Sequence, residues 1–361
     1  MSRDRVILGA TACLTALLAG CFVWYISSLP THRPDFAMMW TGMQRANPYD
    51  QASLRTALNW ESRYPVAFVY PPTALPIFGG LALLPMRFAL TLWGVLSAAA
   101  MALASRSKWA PLLLLTPPVL WAIPGGQTSV LQGAALLGCF LLIRCPTVAG
   151  IFLGFALCLK PQIALAFLLA LSIDRRWTLV AVAIGTVAAS ALLSAIMFGP
   201  MQWVEWIRTL PGFLSLHEGN PLLRRNEIAF GLPLWVRMFA LAGGTGIAAG
   251  ALRRGNLVEA FVLAAAAGLV GSAHAMGYEF AIFAPAAPAL IAKRRWSASA
   301  ILVFLFVPGF IWLGLPAFPF RFLAMALLVL AAAVDGFVMQ PDTSQFTRGR
   351  YGKRSLGWRR V

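Results

Sequence analysis

Charge is what this chain has least of. Only 11% of its 361 residues are charged, while 60% are hydrophobic. A soluble domain carries roughly a quarter charged residues, because its surface must be compatible with water. The shortage excludes a soluble globular enzyme, and the apolar excess excludes a disordered chain. Lipid is the solvent that remains. Acid is scarcer than base: 12 Asp and Glu stand against 29 Lys and Arg, a net charge of +17. The basic residues sit in short clusters between apolar runs, with no basic amphipathic face and no RNA-binding motif, so nucleic acid is not the expected partner. They read as positive loops held against an anionic cytoplasmic leaflet. The five cysteines, Cys13, Cys21, Cys139, Cys145 and Cys158, lie in or beside apolar runs without metal-ligand spacing. That argues against a disulfide framework or a metal centre and leaves them as small apolar residues. Alternating short strands are missing too, so the spans are helices and not a barrel.

What is present is a series of apolar runs long enough to cross a bilayer core of about 30 Å. Roughly twelve can be counted, at 6–29, 66–84, 87–104, 109–123, 126–143, 147–173, 177–199, 230–250, 257–273, 279–292, 298–313 and 320–338. The expected architecture is all-α: one polytopic membrane domain over 1–340, followed by a disordered basic cytoplasmic tail over 341–361. The first run follows Arg3 and Arg5, is too long for a signal-peptide core and lacks an A-x-A-like site, so it reads as a retained span. With the N-terminus inside, alternation places Asp174-Arg175-Arg176, Arg253-Arg254, Lys293-Arg294-Arg295 and the tail on the inner face. The same alternation puts Arg106 and Lys108 outside, against the positive-inside rule. Lys160-Pro161 marks a break inside 147–173, and 109–123 is short; one of these segments is a re-entrant candidate. Two stretches are not lipid-like: 30–65, with short helices expected near 35–45 and 50–63, and 200–227, which reads as an interfacial helix.

Elimination narrows the chemistry. Asp4, Asp174, Asp335 and Asp342 fall on the inner face and Glu259 near the inner end of a span. A reaction on the outer face must draw its acid or base from Asp35, Asp50, Glu61, Glu205, Glu218, Glu227 and Glu279. Asp35 stands out, because it follows the first span closely and its apolar neighbours would raise its basicity. It is equally suited to cap a short interfacial helix. Lys160, a cation within an apolar run, is either functional or a snorkelling lysine at a helix end. His274 either binds substrate or caps a helix. Gln127, in a Gly-Gly-Gln turn, either donates to a polar ligand or faces water.

The ordered set Asp35, Phe68-Val69-Tyr70-Pro71-Pro72, Gly126-Gln127-Thr128-Ser129, Leu159-Lys160-Pro161, Arg175-Arg176-Trp177 and Ser272-Ala273-His274-Ala275-Met276-Gly277-Tyr278-Glu279 resembles glycosyltransferase family 87, of the GT-C type. That family often has Pro before the histidine and Asp after the tyrosine; here the residues are Ala273 and Glu279. The resemblance implies a hexosyltransferase, with mannose favoured, that uses a polyprenyl-phosphate sugar donor and a lipid or glycan acceptor. It implies work on the outer face of a cell inner or plasma membrane, with no metal and no cofactor. Asp35 would be the general base and His274 a second catalytic group. Lys160, Gln127, Glu279, Tyr70 and Arg33 would bind substrate. The rival expectation is a transporter or flippase of a lipid-linked or amphipathic substrate, which calls for paired broken helices in the two halves.

Overall fold

A computed structural model describes residues 3–29, 35–45, 47–58, 68–219, 227–229, 232–272, 274–293, 300–301 and 317–338. Among them the chain is helical throughout: α1 (Arg3–Ile26), α2 (Phe36–Met43), α3 (Gln51–Leu58), α4 (Leu75–Ala82), α5 (Met86–Ser105), α6 (Ala110–Leu113), α7 (Pro117–Gly125), α8 (Ser129–Leu141), α9 (Pro146–Leu159), α10 (Pro161–Ile173), α11 (Trp177–Phe198), α12 (Met201–Gly219), α13 (Leu234–Arg253), α14 (Leu257–Gly271), α15 (Ala287–Ala292) and α16 (Ala317–Val338). Two 3-10 segments, Pro72–Ala74 and Gly277–Ala286, complete it. The all-α expectation agrees with this. The span count does not follow from it: four described helices, in α1, α5, α11 and α13, are long and apolar enough to cross a membrane. Their outward faces stay apolar, with Leu17, Leu92, Ile196 and Phe239 exposed, as a lipid contact requires.

The central helices α8, α9, α10 and α14 have 13, 14, 13 and 15 residues, or ~20 Å of helix each, shorter than a bilayer core. They pack around a buried core that includes Phe140, Phe167 and Phe261. Close contacts are made where glycine removes the side chain. A Cβ on Gly133 would lie 2.4 Å from the Ile282 carbonyl oxygen, and one on Gly268 would lie 2.4 Å from that of Ile163.

Helix directions correct the first half of the expected topology. Arg87 opens α5 and donates from Nη2 to the Trp24 carbonyl at 2.8 Å, its guanidinium 3.7 Å over the Trp24 ring. Farther along, Gly94 faces Val23, and Ala12 packs with Ala102 and Ala110. So α5 runs antiparallel to α1, and Arg106 and Lys108 return to the end of the bundle where α1 begins. The run 66–84 was expected to cross in between. Its described part instead stays at one end, where Trp40 Nε1 donates to Leu84 O at 2.9 Å and Gln44 Nε2 to Ala82 O at 2.6 Å.

The run 109–123 is split into α6 and α7, and Pro117 and Pro118 open the second piece. The run 147–173 is a hairpin of two short helices and not one span. α9 runs antiparallel to α8, with Gly138 against Phe152, and parallel to α11, with Gly150 against Val182 and Gly154 against Thr186. α10 then turns back and ends at Asp174. Arg144, at the α8–α9 turn, therefore lies at the same end as Arg106 and Lys108.

That end is basic. Asp174 pairs with Arg176 at 2.8 Å and with Arg253 at 3.4 Å, which joins two positive clusters that are distant in sequence. Lys293 pairs with the buried Glu259 at 2.7 Å, and Arg254 donates to Phe337 O at 2.9 Å. The described members of the expected clusters, Arg176, Arg253, Arg254 and Lys293, lie at one end, and Arg294 and Arg295 fall outside the described residues. Of the run 298–313, only 300–301 falls among the described residues, and the tail over 341–361 lies outside them.

Candidate functional site

Opposite the basic end, four helix interruptions meet. Proline or left-handed glycine makes three of them. α7 ends at Gly126, whose φ of +69° suits glycine. A Cβ there would also stand 2.4 Å from Phe36 Cβ, so this glycine lets α2 lie directly on the turn. α9 ends at Lys160, with φ −141° and ψ 83°, and Pro161 begins α10 without an N–H to continue the ladder. Residues 68–71 are non-helical before Pro72, and Ser272–Met276 precede the 3-10 segment. Broken backbone at membrane depth must be satisfied by protein. Gln132 Nε2 does this for the Lys160 break, donating to Ala156 O at 3.1 Å and Lys160 O at 3.0 Å. Thr73 Oγ1 donates to Cys158 O at 3.0 Å, and Ser190 Oγ to Thr73 O at 2.7 Å.

Asp35 occupies the N-cap position of α2, yet its side chain makes no capping bond. Its Oδ2 accepts from Gln127 Nε2 instead. The alternative of a helix cap is thereby answered: the carboxylate points to the α7–α8 turn. Gln127, 4% exposed, does not face water. Its own carbonyl accepts from Trp93 Nε1 at 3.2 Å, which holds the turn against α5. Asp35 keeps part of its surface open. Burial of the carboxylate pushes it up to about 6, while Lys160 and the Gln127 hydrogen bond pull the other way.

Lys160 forms an ion pair with Glu279 Oε1. Its Nζ also lies 5.6 Å from the Tyr70 ring and 5.4 Å from that of Tyr278. The ammonium is boxed between two aromatic rings and a carboxylate, and so is not a snorkelling lysine. Glu279 is 3% exposed, and its Oε2 is buried without a hydrogen-bond partner. Its backbone is placed by its N–H bond to Met276 O at 2.8 Å, and Ser129 Oγ donates to Tyr278 O at 3.3 Å. Tyr70 is set by Tyr49, whose hydroxyl donates to Tyr70 O at 2.9 Å.

Asp35, Gln127, Lys160, Glu279 and Tyr70 thus form one cluster. None of the contacts described for it includes His274. The His274 ring packs edge-on against Phe213 of α12, centroids 5.0 Å apart, and its backbone is tied to the Ser272 hydroxyl. Arg33 lies outside the described residues. Other carboxylates have ordinary employment. Asp50 caps α3 through the Ala52 and Ser53 N–H groups at 3.1 and 3.2 Å, and Glu205 pairs with Arg208 at 3.0 Å on an exposed face.

Sequence reasoning missed three residues. Gln132 was visible as a lone amide inside an apolar run. Tyr278 stood within a quoted motif without a role. Arg237, near the start of α13, donates to Ser272 O beside His274, and its buried Nε has no partner. The Lys160 break also has a counterpart in the second half, the 3-10 segment Gly277–Ala286 that carries Glu279.

Among the described residues, the arrangement holds one partly accessible carboxylate raised in basicity, one cation and several neutral donors close together. Such a set can take a proton from a hydroxyl and hold a polar substrate. The model of glycosyltransferase family 87 matches residues 68–276, more than half of the chain, so the chain belongs to that family. The matched segment includes Tyr70, Gln127, Lys160 and His274, and stops short of Asp35 and Glu279 on either side. No curated protein and no solved structure matches the chain.

Proposed function

We propose that this member of glycosyltransferase family 87 transfers a hexose, with mannose favoured, from a polyprenyl-phosphate donor to a hydroxyl of a lipid or glycan acceptor, with Asp35 as general base. The enzyme class follows from the family; the donor, acceptor and residue roles are our reading. The observation that carries it is the convergence of Asp35, Gln127 and Lys160 from sequence-distant segments at the end of the bundle opposite the basic clusters. By the positive-inside rule the basic end is cytoplasmic, so the cluster lies toward the outer face. We place the chain in a cell inner or plasma membrane, as one GT-C-type polytopic unit over 1–340 with a basic tail. On this reading the half-length helices complete the crossings in combination, beside the four described helices long enough to span alone.

The transfer forms a bond between the acceptor oxygen and the anomeric carbon. The bond from that carbon to the phosphate oxygen breaks, and the polyprenyl phosphate leaves with the electron pair. Asp35 takes the acceptor proton as the new bond forms. Gln127 fixes the carboxylate through its amide and is placed to read a sugar hydroxyl. Lys160, with Tyr70 beside it, supplies positive potential where phosphate charge develops. We assign His274, near Arg237 through Ser272, to the phosphate or the acceptor.

Paired breaks are also what a transporter requires. Family membership and a carboxylate raised toward neutral favour the enzyme. The deciding experiment incubates the purified protein in nanodiscs with a panel of polyprenyl-phosphate hexoses and extracted membrane lipids. Transfer of labelled hexose to a lipid acceptor is expected. Movement of an intact lipid-linked sugar across the bilayer without transfer would assign transport instead.

A further inference from the structure

The cluster contains two carboxylates and one ammonium. Lys160 could pair with either, and the choice sets what Asp35 can do. We propose that Glu279 is a positioning residue: it holds the Lys160 ammonium on its Oε1 and so keeps that charge off Asp35, which is left with a neutral amide partner and stays basic enough to take a proton. This inference rests on the reading of Asp35 as the base.

Four observations support it. Lys160 makes its ion pair with Glu279, whereas the donor to Asp35 is the uncharged Gln127. Asp35 and Lys160 nevertheless interact electrostatically, so both carboxylates act on the same ammonium. Among the described residues, the other titratable groups that interact with Asp35 are Tyr70 and Tyr278, the two rings that flank the ammonium, and Glu279 is the carboxylate paired with Lys160. Finally, Glu279 Oε2 has no hydrogen-bond donor of its own, so the Lys160 ammonium is the partner that balances this buried carboxylate. A full pairing of Lys160 with Asp35 would hold the carboxylate well below neutrality and make it a poor base. The extra methylene of Glu over Asp at this position gives the reach by which the ammonium is drawn away from Asp35.

The test reads the protonation of Asp35 directly and apart from turnover. Full-length protein in nanodiscs is titrated by difference infrared spectroscopy, and the Asp35 carboxyl band is identified by its loss in Asp35→Asn. In Glu279→Gln the released ammonium turns to Asp35. The Asp35 titration then moves at least about one pH unit lower, the usual effect of an adjacent opposite charge, and maximal turnover falls about tenfold. Lys160→Met moves the titration upward. In the Lys160→Met background, adding Glu279→Gln leaves the titration where Lys160→Met put it. An equal downward move in both backgrounds would overturn the proposal, because it would show direct repulsion between the carboxylates. An unmoved titration in Glu279→Gln would overturn it as well. Should Glu279→Gln fail to fold, Glu279→Asp must give a smaller move in the same direction, and its absence counts against the proposal. Asp35 as base is judged separately: a titration that moves while the acidic limb of turnover stays in place refutes the base and leaves the positioning intact.

Discussion

Removing either partner of the Lys160–Glu279 pair should not cost the same. The side chains are 11% and 4% exposed, so the pair is largely desolvated. Breaking a buried pair by deleting one partner typically costs about 3–5 kcal/mol, because the other charge is left uncompensated. Lys160→Met leaves Glu279 in that state: its Oε1 loses its donor and its Oε2 never had one. We therefore expect a destabilisation of about 3 kcal/mol or more. Glu279→Gln leaves Lys160 with the electrostatic attraction of a second carboxylate, Asp35, and two tyrosine rings around it. That variant should be more stable than Lys160→Met by at least about 1 kcal/mol, the scale of one charge-assisted hydrogen bond. The double variant, Lys160→Met with Glu279→Gln, should recover most of the loss, since neutral partners replace both charges. Denaturant titration of the detergent-solubilised protein, followed by tryptophan fluorescence, compares the variants. Equal losses in the two single variants, or a larger loss in Glu279→Gln, would refute the view that Lys160 has an alternative partner and Glu279 has none.

Asp35→Asn keeps shape and the Gln127 bond and sacrifices no cap. Transfer should fall by about a hundred- to ten-thousand-fold with folding retained, and near-normal turnover would move the base elsewhere. Because burial pushes Asp35 up to about 6, turnover should rise with pH through that value, as the carboxylate form is the active one. The stability sign is opposite: a carboxyl raised in the fold destabilises the native state above about 6, and this relaxes as pH falls toward its ordinary value of 3.8. Gln132→Leu should destabilise the protein by about 1–3 kcal/mol for each freed carbonyl at the Lys160 break, measured by the same denaturant titration. Maleimide labelling of Ser107→Cys and of the native Cys145 should occur from the same side as a cysteine placed at Lys293. Labelling from the opposite side would restore the simple alternation of spans.

Much of this protein was legible in one dimension. Scarce charge and long apolar runs specify a helical membrane protein, because only helices close their hydrogen bonds within one segment. Pro161 after Lys160 marked the break, since proline removes a ladder donor wherever it stands. The inner clusters of the second half were readable because charge avoids lipid. Direction was not readable. An apolar run has the same composition whether lipid or other helices surround it, so α8, α9 and α10 read as spans although each is ~20 Å long. The two halves of 147–173 could be seen as a hairpin only from their packing on α8 and α11. Partnership was not readable either. Asp35 had every mark of a helix cap, and whether it caps or meets Gln127 depends on the close approach that Gly126 permits. Lys160 looked like a free cation for phosphate. Its carboxylate lies 119 residues away in sequence, and only the fold brings the two together in a recess too dry for either to be left alone.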